Sequence, residues 1–221
     1  MKRKTLKNIV LGAVVLTALA SSISIKKLDE VRALADKKKF DATAYARDFW
    51  DNELLPNLGE ALEVNKLAYL LKNNPAGAFE SYSKSLGIGN IRFFMIHGRG
   101  EIRQVGEDDL TVLVKTDSSS QVVQIQTEYI FGNAVRDASG KVDLEKFEQT
   151  MDFNNVSAAI NQLVREEVLP PLKSEAEVGR EIEFVGAVEM NREQVDLSKI
   201  ELIPVSFEYM DRPEKPAYAS R

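Results

Sequence analysis

Cysteine is absent from the 221-residue sequence. Its absence excludes disulfides, thiolate metal sites and thiol nucleophiles, and leaves the redox compartment unmarked by cysteine usage. Histidine occurs once, as His97, so a histidine-rich metal centre is excluded and no metal or cofactor is expected. An excess of basic charge is also missing: 29 Lys and Arg stand against 34 Asp and Glu, for a net charge of −5. Without a basic field, neither nucleic acid nor anionic lipid is an expected partner. No Ser or Thr sits in a nucleophile elbow, and the two glycine pairs, GIG at 87–89 and GRG at 98–100, do not lie between a strand and a helix start as a phosphate loop requires.

What is present is an ordinary folded composition, 44% hydrophobic and 29% charged, in a chain long enough for one core and a second layer. At the amino end Lys2, Arg3, Lys4 and Lys7 precede an apolar run over residues 9–25. That length approaches the bilayer minimum of about 17 residues and also suits a secretory signal. Residues 1–27 are therefore expected to direct export as a signal sequence or signal anchor, with the remainder outside the cytoplasmic membrane. Ala18 and Ala20 supply the small residues that cleavage after Ala20 would need.

Residues 28–89 read as a helical cap. Asp41 suits the N-cap of ATAYARDFWDNELL, in which Trp50 is a core residue, and Pro56 is expected to stop that helix. A second helix is expected over residues 62–71, with Leu62, Leu67, Leu70 and Leu71 as its apolar stripe. A third is expected to start with Asn74 as cap and Pro75 at its first position, to turn Phe79, Tyr82 and Leu86 inward, and to end at Gly87 in a left-handed cap.

Residues 90–209 change to period two. NIRFFMIHGRGE carries apolar residues on both pleat faces, as in a strand buried on both sides, with Gly98 and Gly100 expected to let it bend or bulge. Leu110, Val112 and Val114 mark a second strand, and Val123, Ile125, Thr127 and Tyr129 a third, with the polar turn TDSSSQ between them. A helical stretch follows, with Leu144, Phe147 and Met151 on one face, then Val156, Ala159, Ile160 and Leu163, closed by Pro170 and Pro171. Ile182, Phe184, Gly186 and Val188 mark a fourth strand. Ile203, Val205, Phe207 and Tyr209 mark a fifth, with Pro204 at an edge or bulge. Three strands, a helix and two strands is the order of an oligonucleotide/oligosaccharide-binding (OB) barrel. The expected class is α+β, a helical cap packed on a small OB-like barrel, with a disordered tail over residues 210–221.

Five separated segments, KKLDEVRALADKKKFDATAYARDFWDNELLP, LGIGN, HGRGEI, GNAVRDA and VGREIEFVGAV, resemble the uncharacterised family of predicted periplasmic lipoproteins, and the resemblance spans residues 26–209. It implies an exported protein near the inner membrane, from a family often encoded beside sugar uptake transporters of the ATP-binding-cassette type. It implies no biochemical activity. Such proteins carry a lipobox ending in Cys, whereas this sequence has Leu19, Ala20, Ser21 and Ser22, with Ser in the lipid-bearing place. Thioether attachment needs a thiol, so membrane retention is expected to come from an uncleaved segment over residues 9–25.

Two functional readings follow. The first is an inner-membrane-anchored, non-catalytic accessory or ligand-binding protein in the periplasm, associated with sugar transporter components or with a small polar ligand. Its expected ligand-binding residues are Arg136 and Asp137 in GNAVRDA, with Asn154 and Asn155. Asn and Asp suit sugar hydroxyls, and Arg supplies a planar fork of donors. The plainer alternative is an Arg136–Asp137 ion pair with Asn155 capping the following helix. The second reading is an envelope carbohydrate-active hydrolase or isomerase using carboxylates such as Glu101, Asp137 or Asp152, although nothing in the sequence sets two of them at a working separation.

Overall fold

The structure, a computed structural model, describes residues 40–210 apart from Ile88 and Ser118. The expected signal or anchor over residues 9–25 lies outside the described residues, as does the expected disordered tail beyond Met210. Among the described residues no helix is long and apolar enough to cross a membrane.

Helix α1 (Ala42–Phe49) starts where expected: the Asp41 carboxylate accepts from the Ala44 N–H at 2.9 Å, satisfying one of the donors that a helix start leaves open. The helix then widens to a π turn over Trp50–Leu54 before a 3-10 turn over Leu55–Glu60. The same device recurs later in the chain, and both times a Leu-Pro step follows. A proline ring clashes with the carbonyl four residues back and offers no N–H, which a wider turn accommodates. Trp50 is buried, as its spacing implied.

The second helix differs from expectation. Leu62 and Glu63 form a two-residue strand, β1, and helix α2 runs Val64–Asn73 with Val64, Leu67, Ala68 and Leu71 buried. Glu63 fixes the boundary, because its carboxylate caps the N–H groups of Asn65 and Lys66 at 2.9 and 2.6 Å. Helix α3 (Pro75–Tyr82) has Asn74 as its cap, accepting from Gly77 N at 3.1 Å. It ends at Ser83, not at Gly87, and Tyr82 is exposed. Only Phe79 turns fully inward, packing its ring 5.4 Å from that of Phe94. The α3 helix thus docks on the doubly apolar strand, whereas α1 packs against a later helix, α5 (Thr150–Leu163).

The sheet has six strands: β1, then β2 (Ile91–Val105), β3 (Asp109–Lys115), β4 (Ser120–Gln126), β5 (Glu181–Asn191) and β6 (Ile200–Tyr209). Its order is β1-β2-β3-β4-β6-β5, and β2 also pairs with β5, so the hydrogen-bonded ladder returns to β2. The β4–β6 pairing is parallel, while β2–β3, β3–β4, β2–β5 and β5–β6 are antiparallel. Phe93, Phe94 and Ile96 are buried on both faces of β2, beneath the helices on one side and facing the sheet interior on the other.

Three strand expectations need correction. β2 runs in unbroken register with β5 through Gly98 and Gly100, and its bulge falls between Ile102 and Gln104. The glycines also permit close packing: a Cβ on Gly100 would stand 2.6 Å from the Leu113 carbonyl oxygen. β4 stops at Gln126, leaving Tyr129 exposed. In β6 a bulge opposite Val185 and Gly186 switches the pleat, so Ile200 and Leu202 point inward before it and Val205 after it.

Between β4 and β5 lie helix α4 (Ala134–Ser139), α5, a second π turn (Val164–Val168) and helix α6 (Leu169–Glu175). Pro170 and Pro171 open α6 and do not close the helical stretch, because proline is well tolerated in a first turn. Leu144 and Met151 are exposed, contrary to the expected apolar face; Val156, Ile160 and Leu163 are buried as expected.

Candidate functional site

The segment GNAVRDASG builds the site. Gly132 (φ 81°) and Gly140 (φ 64°) adopt the left-handed conformation at either end of α4, letting a very short helix turn into and out of the protein. Ala134, Val135 and Ala138 are buried, and α4 lies against β2 and β5. This placement carries Arg136 and Asp137 inside, at 4% and 3% exposure.

Their charges are paired. Arg136 Nε donates to Asp137 Oδ1 at 2.6 Å, Arg136 Nη1 donates to the Phe153 carbonyl at 3.1 Å, and the guanidinium lies 3.4 Å above the Phe153 ring. Asn133 Nδ2 donates to the other Asp137 oxygen. A buried ion pair persists only when most of its remaining donors and acceptors are met, and here a backbone carbonyl, an amide and an aromatic face meet all but one nitrogen of the pair. Arg136 Nη2 takes no part in these bonds.

On the outer side of this pair is a cavity of about 520 Å³ between the Ile130–Asn133 loop, α4, and one face of α5 and the π turn that extends it. Arg136 and Asn154 line it, as do Ser157, Asn161 and Arg165. Two of these side chains tie down the loop: Asn161 Nδ2 donates to the Gly132 carbonyl at 2.8 Å, and Arg165 Nη1 donates to the Ile130 carbonyl. The loop in turn holds Phe131, 71% exposed, at the mouth. Ser157 Oγ is the one buried side-chain polar atom among the described residues without a hydrogen-bond partner. Burying a hydroxyl unpaired is costly, so a polar cavity beside it is where its partner belongs.

Of the four residues expected to bind ligand, Arg136 and Asn154 line this cavity. Asp137 sits behind it and lines a neighbouring cavity of about 370 Å³ with Asn90 and Asn133. Asn155 is exposed in the second turn of α5, neither lining the cavity nor capping the helix, whose N-cap is Gln149. The residues that sequence reasoning missed are Ser157, Asn161 and Arg165. Asn154, Ser157, Asn161 and Arg165 recur at helical spacing and form one polar stripe, which a search for apolar stripes passes over.

A larger cavity, about 730 Å³, lies elsewhere, between the N-terminus of α2, β2, the end of β3, β5 and β6, and His97 lines it. Of its charged groups, Arg99 pairs with Glu181 at 2.7 Å and with Glu183 at 3.6 Å and Glu63 caps α2, while Lys115 and Glu208 also line it and form no ion pair among the described residues. The candidate catalytic carboxylates are dispersed over three elements. Glu101 pairs with Arg103 on β2 at 2.8 Å, Asp137 is held in α4, and Asp152 lies in the first turn of α5. Size alone therefore does not identify the site; the smaller cavity has the unpaired buried group.

The chain matches, over residues 13–208, a family described as predicted periplasmic lipoprotein (DUF2291). Among solved structures it resembles an OB-fold protein from Thermotoga maritima, with 27% identity and a TM-score of 0.70, over 78% of this chain and 100% of that one. No curated protein matches it.

Proposed function

Since this chain belongs to the predicted periplasmic lipoprotein family, whose activity is unassigned, we propose that it is a non-catalytic accessory protein of the cell envelope that binds a small polar ligand beside α4 and α5. The observation that carries this reading is the convergence of Arg136, Asn154, Asn161 and Arg165 on one cavity, with the buried, unpartnered Ser157 hydroxyl beside it. Ligand sites commonly combine a concave surface with a few convergent polar groups. Around the site, the ring of pairings through β2, β3, β4, β6 and β5 supports a closed OB-type barrel as the rigid support. Retention at the inner membrane by residues 9–25 completes the proposal and rests on the envelope family and the apolar N-terminal run; association with sugar uptake transporter components rests only on what the family resemblance implies.

The test is ligand-detected NMR on the full chain in detergent, against a library of small polyols, sugars and their acids. Binding that is lost in Ser157→Val and weakened in Asn154→Ala supports the reading, and no signal from any member overturns it. Recovery of transporter subunits from solubilised membranes tests the partner separately.

A further inference from the structure

We infer that the ligand of this cavity is a small hydroxyl-bearing anion, a sugar or polyol carrying a carboxylate or a phosphate; this deepens, and rests on, the ligand-binding reading above. The chain as a whole has more acidic than basic residues, 34 against 29, yet the cavity lining contains two arginines and no Asp or Glu. The two arginines differ in what neutralises them. Arg136 is balanced by Asp137. Arg165 bonds only neutral acceptors, the Ile130 carbonyl and the Gln162 side-chain oxygen, the latter from Nε at 3.2 Å and from Nη2 at 2.8 Å. Among the described residues no carboxylate pairs with it, and its charge at the cavity is left for an occupant to balance.

A guanidinium recognises the paired oxygens of a carboxylate or phosphate as its natural partner, and such charge-assisted bonds are about twice as strong as neutral ones. The Ser157 hydroxyl, buried beside the lining, becomes a further donor to an oxyanion when rotation about χ1 turns it into the cavity. The rest of the lining suits the uncharged part of such a molecule. Asn154 and Asn161 offer amides that can both donate to and accept from hydroxyls, and the exposed Phe131 ring offers an apolar face to the C–H side of a sugar ring. A neutral sugar would use the amides but leave Arg165 without a counter-charge.

Isothermal titration of the full chain in detergent with glucose, glucuronate, glucose 6-phosphate and inorganic phosphate separates the possibilities. The expected result is that glucuronate or glucose 6-phosphate binds at least about tenfold tighter than glucose, corresponding to one charge-assisted bond. Their ranking decides between carboxylate and phosphate. Arg165→Gln is expected to reduce the preferred anion to the affinity of glucose, Arg165→Lys to retain part of the preference, and Ser157→Ala to weaken the anion without unfolding the protein. Glucose binding as tightly as both anions, with Arg165→Gln changing nothing, overturns this inference and leaves the ligand-binding reading standing. Inorganic phosphate binding as tightly as glucose 6-phosphate overturns the hydroxyl-bearing part. Failure of every probe, together with an empty library screen, overturns both.

Discussion

Replacing Asp137 by Ala would test how the buried Arg136–Asp137 pair supports the site. The substitution removes the 2.6 Å bond to Arg136 Nε and the bond from Asn133, leaving a guanidinium at 4% exposure without its counter-charge. Breaking a buried pair from one side costs about 3–5 kcal/mol. Two features argue for the lower end. Arg136 keeps the Phe153 carbonyl at 3.1 Å and the Phe153 ring at 3.4 Å, and it borders a cavity that water can enter. At about 2–4 °C per kcal/mol for a chain of this size, a loss of about 3 kcal/mol lowers Tm by about 6–12 °C. Asp137→Asn retains an acceptor and is expected to lose roughly half as much. The double change Arg136→Met with Asp137→Leu removes both charges together and is expected to recover most of the stability while abolishing ligand binding. Urea unfolding followed by circular dichroism, with matched slopes, reads all three variants. A loss below about 1 kcal/mol for Asp137→Ala, or a double variant no more stable than the single, would refute the claim that α4 is held in place by this pair.

Three further outcomes are expected. Gly186→Ala puts a Cβ 2.4 Å from the Ile203 carbonyl oxygen and 2.5 Å from Leu202 Cδ2, so the β5–β6 bulge must shift and unfolding experiments should show a loss of about 1–3 kcal/mol. Burial pushes the Tyr209 phenol up to about 12 from its ordinary 10.0, against a smaller opposing pull from the Arg180 guanidinium above its ring. The neutral phenol is the form the fold favours, so its contribution is full below the unfolded pKa near 10 and is lost as pH rises toward about 12. Ultraviolet titration should show Tyr209 ionising late, with Tyr45 also raised by burial and by nearby carboxylates, and Tyr209→Phe, which loses the 2.5 Å bond to the Leu172 carbonyl, should remove the step near 12. Phe131→Ala should leave the unfolding free energy within about 0.5 kcal/mol of the parent, since the ring is 71% exposed, while weakening binding of any sugar-containing ligand in the titrations above.

How much of the fold was legible depended on whether the controlling interaction was local. Asp41 and Asn74 cap their helices because a short oxygen-bearing side chain reaches an N–H three residues on, whatever surrounds it. The alternation of Leu110, Val112 and Val114 likewise gave β3 directly. The errors arose where a partner distant in sequence decided. Leu62 left its expected helix to pair with Ile96 in β2, and the pleat of β6 was reset by a bulge set against Val185 and Gly186. Pro170 and Pro171 read as a stop in sequence, but a widened turn before them lets the chain enter another helix.

The sequence by itself determined that thiol chemistry and a histidine-rich metal site are impossible, that the chain starts with a basic cluster and an apolar run, and that GNAVRDA brings Arg136 and Asp137 side by side. These follow from residue identity and adjacency alone. Only the tertiary structure decided that this pair is buried behind a cavity, that Asn154 faces the cavity while Asn155 faces solvent, and that Ser157, Asn161 and Arg165 complete the lining. A polar stripe on a helix looks the same in sequence whether it meets open water or lines a cavity. What separates the two is the loop folded over that stripe and pinned there by Asn161 and Arg165, a contact between residues roughly thirty positions apart.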